Sequence, residues 1–203
     1  MNSFFDEVLC INLDKRIERW ESVVNLFSNH GIVVRRISAF DKENIPPINE
    51  WMNSSRLACT LSHLYCLKYM INNNLENLFV FEDDVCFVDD FNTKSTTVLQ
   101  NLPDDWDMVY LGGNTNYEDS LVSVNAYLNK SSYVLTTHAY GINLRYAKKI
   151  IKSVEKLDDI IDCIYAKFHK DNNIYISKQK LCFQSEGYSD IEEKIVNYNF
   201  LLQ

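Results

Sequence analysis

Short unbroken apolar runs alternate along this chain with longer stretches in which apolar residues recur every three or four positions. Residues 8–13 form a run of the first kind and read as a buried strand. Residues 15–30 are of the second kind. Ile17, Trp20, Val23, Val24 and Phe27 share one helical face, and Gly31 supplies a C-terminal stop. Residues 32–37 are rich in β-branched side chains and read as a second strand. Strand–helix–strand is the unit of a parallel α/β sheet, because parallel neighbours need a crossover between them.

Residues 39–53 read as a loop centred on Pro46-Pro47. Ser54 or Ser55 is expected to cap a helix over about 56–73, striped by Leu57, Leu61, Leu64 and Ile71. Residues 78–81 are a compact apolar strand that runs directly into Glu82-Asp83-Asp84. Another strand, 107–111, stops at Gly112-Gly113. From 121 to 143 the pattern turns to Tyr, Val and Thr, and predicts a hairpin of 121–128 and 132–137 joined around Asn129-Lys130. Helices are expected over 144–157 and 158–168, then short strands around 174–176 and 181–183. With no internal repeat and no linker, residues 1–203 read as a single domain.

Composition narrows the class. A hydrophobic share of 46%, with 12 Tyr and 11 Phe, supplies a substantial core. Five Gly and three Pro exclude a collagen-like or low-complexity chain. A formal charge of -8 argues against nucleic acid as a partner, since sequence-independent binding needs a basic face, although a local basic groove could hold a diphosphate. The opening residues show no basic stretch followed by an apolar one, so no secretory signal is expected. No apolar run approaches the roughly 20 residues of a transmembrane segment. A cytoplasmic location is therefore expected, with attachment to a membrane-bound partner left open. Cysteines 10, 59, 66, 86, 163 and 182 are scattered without a C-x-x-C, so they read as reduced, buried small hydrophobes rather than zinc ligands.

The chemistry begins at Glu82-Asp83-Asp84. In open α/β sheets ligands bind at the carboxyl ends of strands, which is where this triplet stands. Adjacent carboxylates repel, and a divalent cation is a natural compensation; Mn2+ or Mg2+ favours carboxylate oxygens and often binds substrate phosphates as well. If the chain stays extended, Glu82 and Asp84 face the same side. Taken alone, an acidic triplet is more often a solvated loop after a strand than a metal site.

Several ordered blocks carry a resemblance. They are Val8-Leu9-Cys10-Ile11-Asn12-Leu13-Asp14-Lys15-Arg16-Ile17-Glu18-Arg19, Leu57-Ala58-Cys59-Thr60-Leu61-Ser62-His63 and Phe79-Val80-Phe81-Glu82-Asp83-Asp84. Trp106-Asp107-Met108-Val109-Tyr110-Leu111-Gly112 and Thr137-His138-Ala139-Tyr140-Gly141-Ile142-Asn143 follow, with Ile161-Asp162 and Gln184 through Ser189-Asp190-Ile191 later. Together they resemble glycosyltransferase family 25, the lipopolysaccharide and collagen galactosyltransferase group, over about residues 8–191. Ala58 stands where that family usually has a glycine. The resemblance implies an α/β domain of GT-A type, a Rossmann-like, mostly parallel sheet with flanking helices and a small antiparallel hairpin. It further implies a UDP-hexose donor, galactose foremost, dependence on Mn2+ and inversion at the anomeric carbon. The acceptor is expected to be a hydroxyl of a glycan, lipopolysaccharide or glycoprotein.

Residue roles follow from the resemblance, each beside a plainer one. Glu82 and Asp84 would serve the metal and Asp83 the donor. Arg16 and Arg19 would hold a diphosphate, or lie on a solvated helix face. Asn12 and Asp14 would touch base or ribose, although Asn12 could instead satisfy loop backbone. Ser62 and His63 would belong to the donor site, whereas a lone helix histidine is usually a hydrogen-bonded core residue. His138 is a further candidate, as a metal or acceptor contact or a partner for a tyrosine. Asp162 would be the general base that takes the acceptor proton, with Asp190 as runner-up; otherwise Asp162 is an exposed helix acid. Two rival readings are a non-catalytic module that keeps the fold and a Mg2+-dependent phosphatase of haloacid-dehalogenase type. The latter expects a nucleophilic Asp-x-Asp on the first strand, where this chain has Asn12-Leu13-Asp14-Lys15.

Overall fold

The computed structural model describes residues 1–115, 121–189 and 194–196. Its elements begin β1 (Glu7–Asn12), α1 (Ile17–Asn29), β2 (Arg35–Ser38), α2 (Ser54–Asn72), β3 (Asn77–Glu82), β4 (Val85–Phe87) and α3 (Phe91–Gln100). There follow β5 (Met108–Tyr110), β6 (Leu121–Ser123), β7 (Leu128–Ser131), β8 (Ala139–Asn143), α4 (Leu144–Val154) and α5 (Ile161–His169). The chain closes with β9 (Ile174–Ser177), β10 (Cys182–Gln184), β11 (Gly187–Ser189) and β12 (Lys194–Val196).

Eight strands form one sheet in the order β2-β1-β3-β8-β5-β9-β7-β6. β1 is parallel to β2 and β3, and β5 to β9, while β8 opposes β3 and β5 and β7 opposes β6 and β9. All strands but β7 and β8 therefore point one way, which makes the sheet mostly parallel in direction. Helices cover both faces, as an α/β domain of GT-A type requires. β4 pairs with β10, and β11 with β12, as small antiparallel hairpin-like additions.

Alternation along the buried strands assigns the two cores. Leu9, Ile11, Leu78 and Val80 face the side covered by α2, α4 and α5, where Leu64, Leu67, Ile150 and Ile164 meet them. Val8, Cys10, Phe79 and Phe81 face the side of α1 and α3, against Val23, Phe27, Val98 and Leu99. Strands buried on both faces read as continuous apolar runs, which is why residues 8–13 and 78–81 were legible. All six cysteines are free; Cys10, Cys66 and Cys182 are buried, whereas Cys59, Cys86 and Cys163 are only partly so.

Several expectations need correction. Asn53, not Ser54 or Ser55, caps α2, its side chain accepting from Arg56 N–H at 3.0 Å. The hairpin lies at β6 and β7, and Asn129 and Lys130 sit within β7 rather than in its turn. Beyond it, Leu135 makes only a single bridge, to Asn114. β8 was submerged in the Tyr-Val-Thr run, and its Gly141 leaves room for Phe5, whose ring a Cβ there would meet at 2.7 Å. α3 escaped detection because its sequence, FNTKSTTVLQ, is rich in Thr and poor in helix formers; the burial of Phe91, Val98 and Leu99 holds it.

Gly112 marks the contact that ties the β10 segment to the sheet. Leu181 and Cys182 both donate their N–H to Leu111 O, at 2.8 and 3.1 Å. A Cβ on Gly112 would collide with the Cys182 carbonyl and the His138 ring, and these are backbone or buried atoms that cannot swing aside. We expect Gly112→Ala to cost about 1–3 kcal/mol. Thermal unfolding of the variant checks this, and an unchanged Tm would refute the packing argument.

A candidate active site at the acidic end of strand β3

A cavity of about 370 Å³ opens at the carboxyl ends of β1, β2 and β3. Asn12 and Leu13 line it from the end of β1, Phe40 from the loop after β2, and Glu82, Asp83 and Asp84 from the end of β3. The first turns of α2 and α5 close one side. Because β8 runs opposite to β3, its leading residues Thr136 and Thr137 arrive at the same end, and β10 brings Gln184 there through its pairing with β4.

The three acids do not continue as an extended strand. β3 ends at Glu82, and Asp83 and Asp84 form a turn before β4. The premise that 82 and 84 share a side of an unbroken strand thus fails, and each carboxylate finds its own wall. Glu82 keeps the alternation of Leu78 and Val80 and turns toward α2. There His63 Nε2 lies 3.3 Å from its Oε1, and the Thr137 hydroxyl donates to the same oxygen at 2.8 Å. Burial works against the ionised form of Glu82, but His63 and Thr137 prevail and hold its pKa below the ordinary value. Asp83 faces the α1 side. Asn12 Nδ2 donates to its Oδ2 at 2.6 Å and Arg19 to its Oδ1 at 3.1 Å. Burial nevertheless raises the Asp83 carboxyl.

Asp84 is the least compensated of the three. Gln184 donates to its Oδ2 at 3.2 Å, but its buried Oδ1 has no hydrogen-bond partner. Burial first, then the charges of Glu82 and Asp83, push its carboxyl up to about 7. Asp84 lines the cavity, and a carboxylate oxygen without a hydrogen-bond partner is a donor of the kind a hard divalent cation takes. Among the described residues no three His, Cys, Asp or Glu side chains converge as a ready-made shell. A divalent cation held there would have to complete its shell with water and substrate phosphates.

The other expected site residues divide. Asn12, Arg19, Ser62, His63 and Asp162 line the cavity with the acids; Asp14, Arg16 and His138 do not. Asn12 is a bracket: besides Asp83 it binds Arg16 O at 3.1 Å and accepts from Arg36 at 2.8 and 2.6 Å. Asp14 points away, to Ser38 and Arg36, both at 2.9 Å. Arg16 lies 3.7 Å from Glu18 at the start of α1. Ser62 donates to Ala58 O at 2.8 Å and accepts from Phe40 N–H at 2.9 Å, so it fixes the loop after β2. His63 is buried; with Nε2 donating to Glu82, Nδ1 is left to accept from Tyr140, whose hydroxyl is 3.1 Å away. His138 is also buried, with Nε2 3.3 Å from Cys182 O; burial lowers its pKa and keeps the ring neutral. It borders a second, small pocket that shares Gln184. Asp190 lies outside the described residues.

Asp162 stands in the first turn of α5, and both its oxygens are engaged. Oδ1 accepts Cys163 N–H at 2.8 Å and Oδ2 accepts Thr136 N–H at 3.2 Å. Thr136 holds φ 71, a left-handed conformation costly for a β-branched residue, and its buried hydroxyl lacks a hydrogen-bond partner. Neither Thr136 nor Thr137 is a site candidate from sequence, although Thr137 opens one of the blocks that carry the family resemblance. The cavity wall also includes Lys15, paired to Asp41 and Glu43, along with Phe40, Arg56 and Gln184. Lys15 could have been found as a cation directly after a buried strand; the others are joined to the site only by folding.

The sequence model of glycosyltransferase family 25 (LPS biosynthesis protein) matches residues 5–165. The chain is similar to a glycosyltransferase 25 family member of Aedes aegypti, 28% identical over 190 residues, covering 82% of this chain and 31% of that protein. It is similar to procollagen galactosyltransferase 2 of Mus musculus, at 25% over 171 residues, covering 72% and 27%. It is also similar to the "probable inactive glycosyltransferase 25 family member 3" of Bos taurus, at 25% over 172 residues, covering 73% and 29%. The chain thus spans less than a third of the length of these curated relatives. Among the described residues no helix is long and apolar enough to cross a membrane.

The Asp84 environment has a consequence for stability. A carboxyl whose folded pKa, about 7, exceeds its ordinary value of 3.8 binds its proton more tightly in the folded state. Its contribution is therefore fully present below about pH 4 and is lost as pH rises through 7. Without divalent cations, Asp84→Asn should melt several degrees above the parent at pH 8, and the advantage should vanish toward pH 4. A difference in Tm that does not change with pH would contradict the assignment of repulsion to Asp84.

Proposed function

The chain belongs to glycosyltransferase family 25, and we propose that it transfers a hexose from a UDP-sugar to an acceptor hydroxyl in the cavity at the end of β3. The observation that carries this reading is the half-buried acidic turn with an unpartnered Asp84 oxygen, set in one cavity with Arg19 and Lys15. Galactose is proposed as the sugar by analogy with the procollagen galactosyltransferase relative, and a glycan, lipopolysaccharide or glycoprotein as the acceptor.

In this mechanism the chain's own groups divide the work. Arg19 and Lys15 meet the donor diphosphate, as cations matched to phosphate oxygens. Asp83, oriented by Asn12, takes the ribose hydroxyls, and Phe40 offers an aromatic face to the base. Asp84, with Glu82 as the second candidate carboxylate, would hold Mn2+ or Mg2+, which when bound neutralises charge on the departing diphosphate. His63 and Thr137 keep Glu82 ionised and fixed. From the first turn of α5, Asp162 takes the proton of the attacking hydroxyl. Each of its oxygens already accepts one backbone N–H but retains a second lone pair for the substrate. Attack from that side while the diphosphate leaves toward Asp84 inverts the anomeric carbon.

A haloacid-dehalogenase-type phosphatase is set aside. That chemistry needs an aspartate nucleophile on the first strand, and β1 ends in Asn12 while Asp14 turns out of the cavity. The non-catalytic reading gains weight from the relative described as inactive, and one assay separates it. UDP release should be measured across a panel of UDP-sugars with Mn2+. We expect release with a UDP-hexose, its loss in Asp84→Ala, and a larger loss of UDP affinity in Arg19→Ala than in Arg16→Ala. No release with any sugar would favour the binding module.

Asp162→Asn should lower transfer by about 10²–10⁴-fold while UDP affinity persists. The amide would set its NH2 against a backbone N–H, so a lower Tm is expected too, and melting must be recorded on the same preparation. Near-normal transfer would make Asp162 an anchor for Thr136 and nothing more.

A further inference from the structure

Trp51 is poorly explained as packing. Its side chain is 51% exposed, yet it is held at two points. The indole N–H donates to Asp159 Oδ1 at 2.9 Å, and the Arg56 guanidinium lies 4.2 Å from the ring centroid. Arg56 also donates to Trp51 O at 3.0 Å. Arg56 lines the cavity, as do Ile160 and Asp162, which follow Asp159 directly. Trp51 does not itself line the cavity, but through Arg56 and Asp159 it bridges the starts of α2 and α5 next to it, near the proposed base. Arg56 has no carboxylate within ion-pair distance among the described residues, unlike Lys15 and Arg19.

We propose that Trp51 and Arg56 form the acceptor subsite, and that its occupant is a pyranose ring rather than a bare peptide segment. This rests on the transferase reading given above. Holding a large aromatic surface rigid in water loses side-chain entropy and leaves apolar area unburied, so a second partner is needed to make the arrangement favourable. The C–H face of a pyranose is flat, apolar and about the size of the indole, and its rim of hydroxyls needs donors and acceptors. Arg56, stacked over one indole face, supplies planar N–H donors and leaves the opposite face for the sugar. A ring seated there would direct a hydroxyl toward Asp162. A mere clamp between loop and helix would need only the indole N–H, and could bury the ring.

The test uses methyl β-galactoside and methyl β-glucoside as probes on the intact chain. Glycoside binding is followed by saturation-transfer NMR, and UDP affinity by calorimetry with Mn2+. Trp51→Ala should weaken glycoside binding at least about tenfold, corresponding to roughly 1.4 kcal/mol, and raise the acceptor KM with little change in kcat. UDP affinity should persist, which certifies the fold. Trp51→Phe keeps the aromatic face but loses the bond to Asp159, so it should bind glycoside close to the parent. Three results would overturn the proposal: unaltered binding in Trp51→Ala, a Phe variant as impaired as the Ala variant, or no glycoside binding by the parent. UDP release by the parent is read separately. Its absence would sink the transferase reading and leave a sugar-binding result standing by itself.

Discussion

Three consecutive carboxylates at a buried strand end repel one another, and the architecture around them follows from separating that charge. Glu82 is drawn to α2 by His63 and to β8 by Thr137. Asp83 is drawn to β1 by Asn12 and to α1 by Arg19. Asp84 has only Gln184 of β10. Each acid thus ties a different layer to the end of β3, so the packing of two helices and three other strands converges on this turn. The neutralisation is uneven: Glu82 is held ionised, while Asp84 sits near neutrality on the pH scale with one oxygen unsatisfied.

The reversed strand β8 is the second organising feature. Had β8 run with β3, its carboxyl end would have led straight into α4 at the cavity. Because it opposes β3, Thr136, Thr137 and His138 reach the cavity end instead, and Glu82 N–H bonds His138 O at 3.1 Å. The cost is local. Thr136 takes a left-handed backbone, held by Asp162, and His138 is buried with Nδ1 unpaired. Such strain persists only where surrounding bonds over-determine it, and here those bonds come from α5 and β10.

Charge is also arranged by position. A chain of net charge -8 gathers Lys15, Arg19 and Arg56 around one cavity. Lys15 and Arg19 are already matched by carboxylates, which a phosphate would have to displace or share. Arg56 is matched instead by the indole of Trp51. Under the proposed reading, that division would set a donor side, lined by ion-paired cations, apart from an acceptor side built around an aromatic face.

The apolar runs at residues 8–13 and 78–81, the helical stripes of α1 and α2, and the stop at Gly31, whose φ is 63°, were legible because each depends on local burial or backbone geometry. The position of the acidic turn at the carboxyl edge of the sheet was legible for the same reason: a strand carries its carboxyl end to one edge of the sheet whatever surrounds it. What the local pattern did not hold was decided by tertiary packing. β8 and α3 lack strong local signals and form because neighbours bury them. The capping of α2 by Asn53 and the true turn of the hairpin depended on choices among several polar residues of similar propensity. Most of all, sequence spacing predicted a shared side for Glu82 and Asp84, whereas folding broke the strand at Asp83 and sent the carboxylates to separate walls. Charge repulsion at 3-residue range is a sequence property, but which groups relieve it is decided over sequence separations of 19 (82 − 63) to 100, from His63 on Glu82 to Gln184 on Asp84.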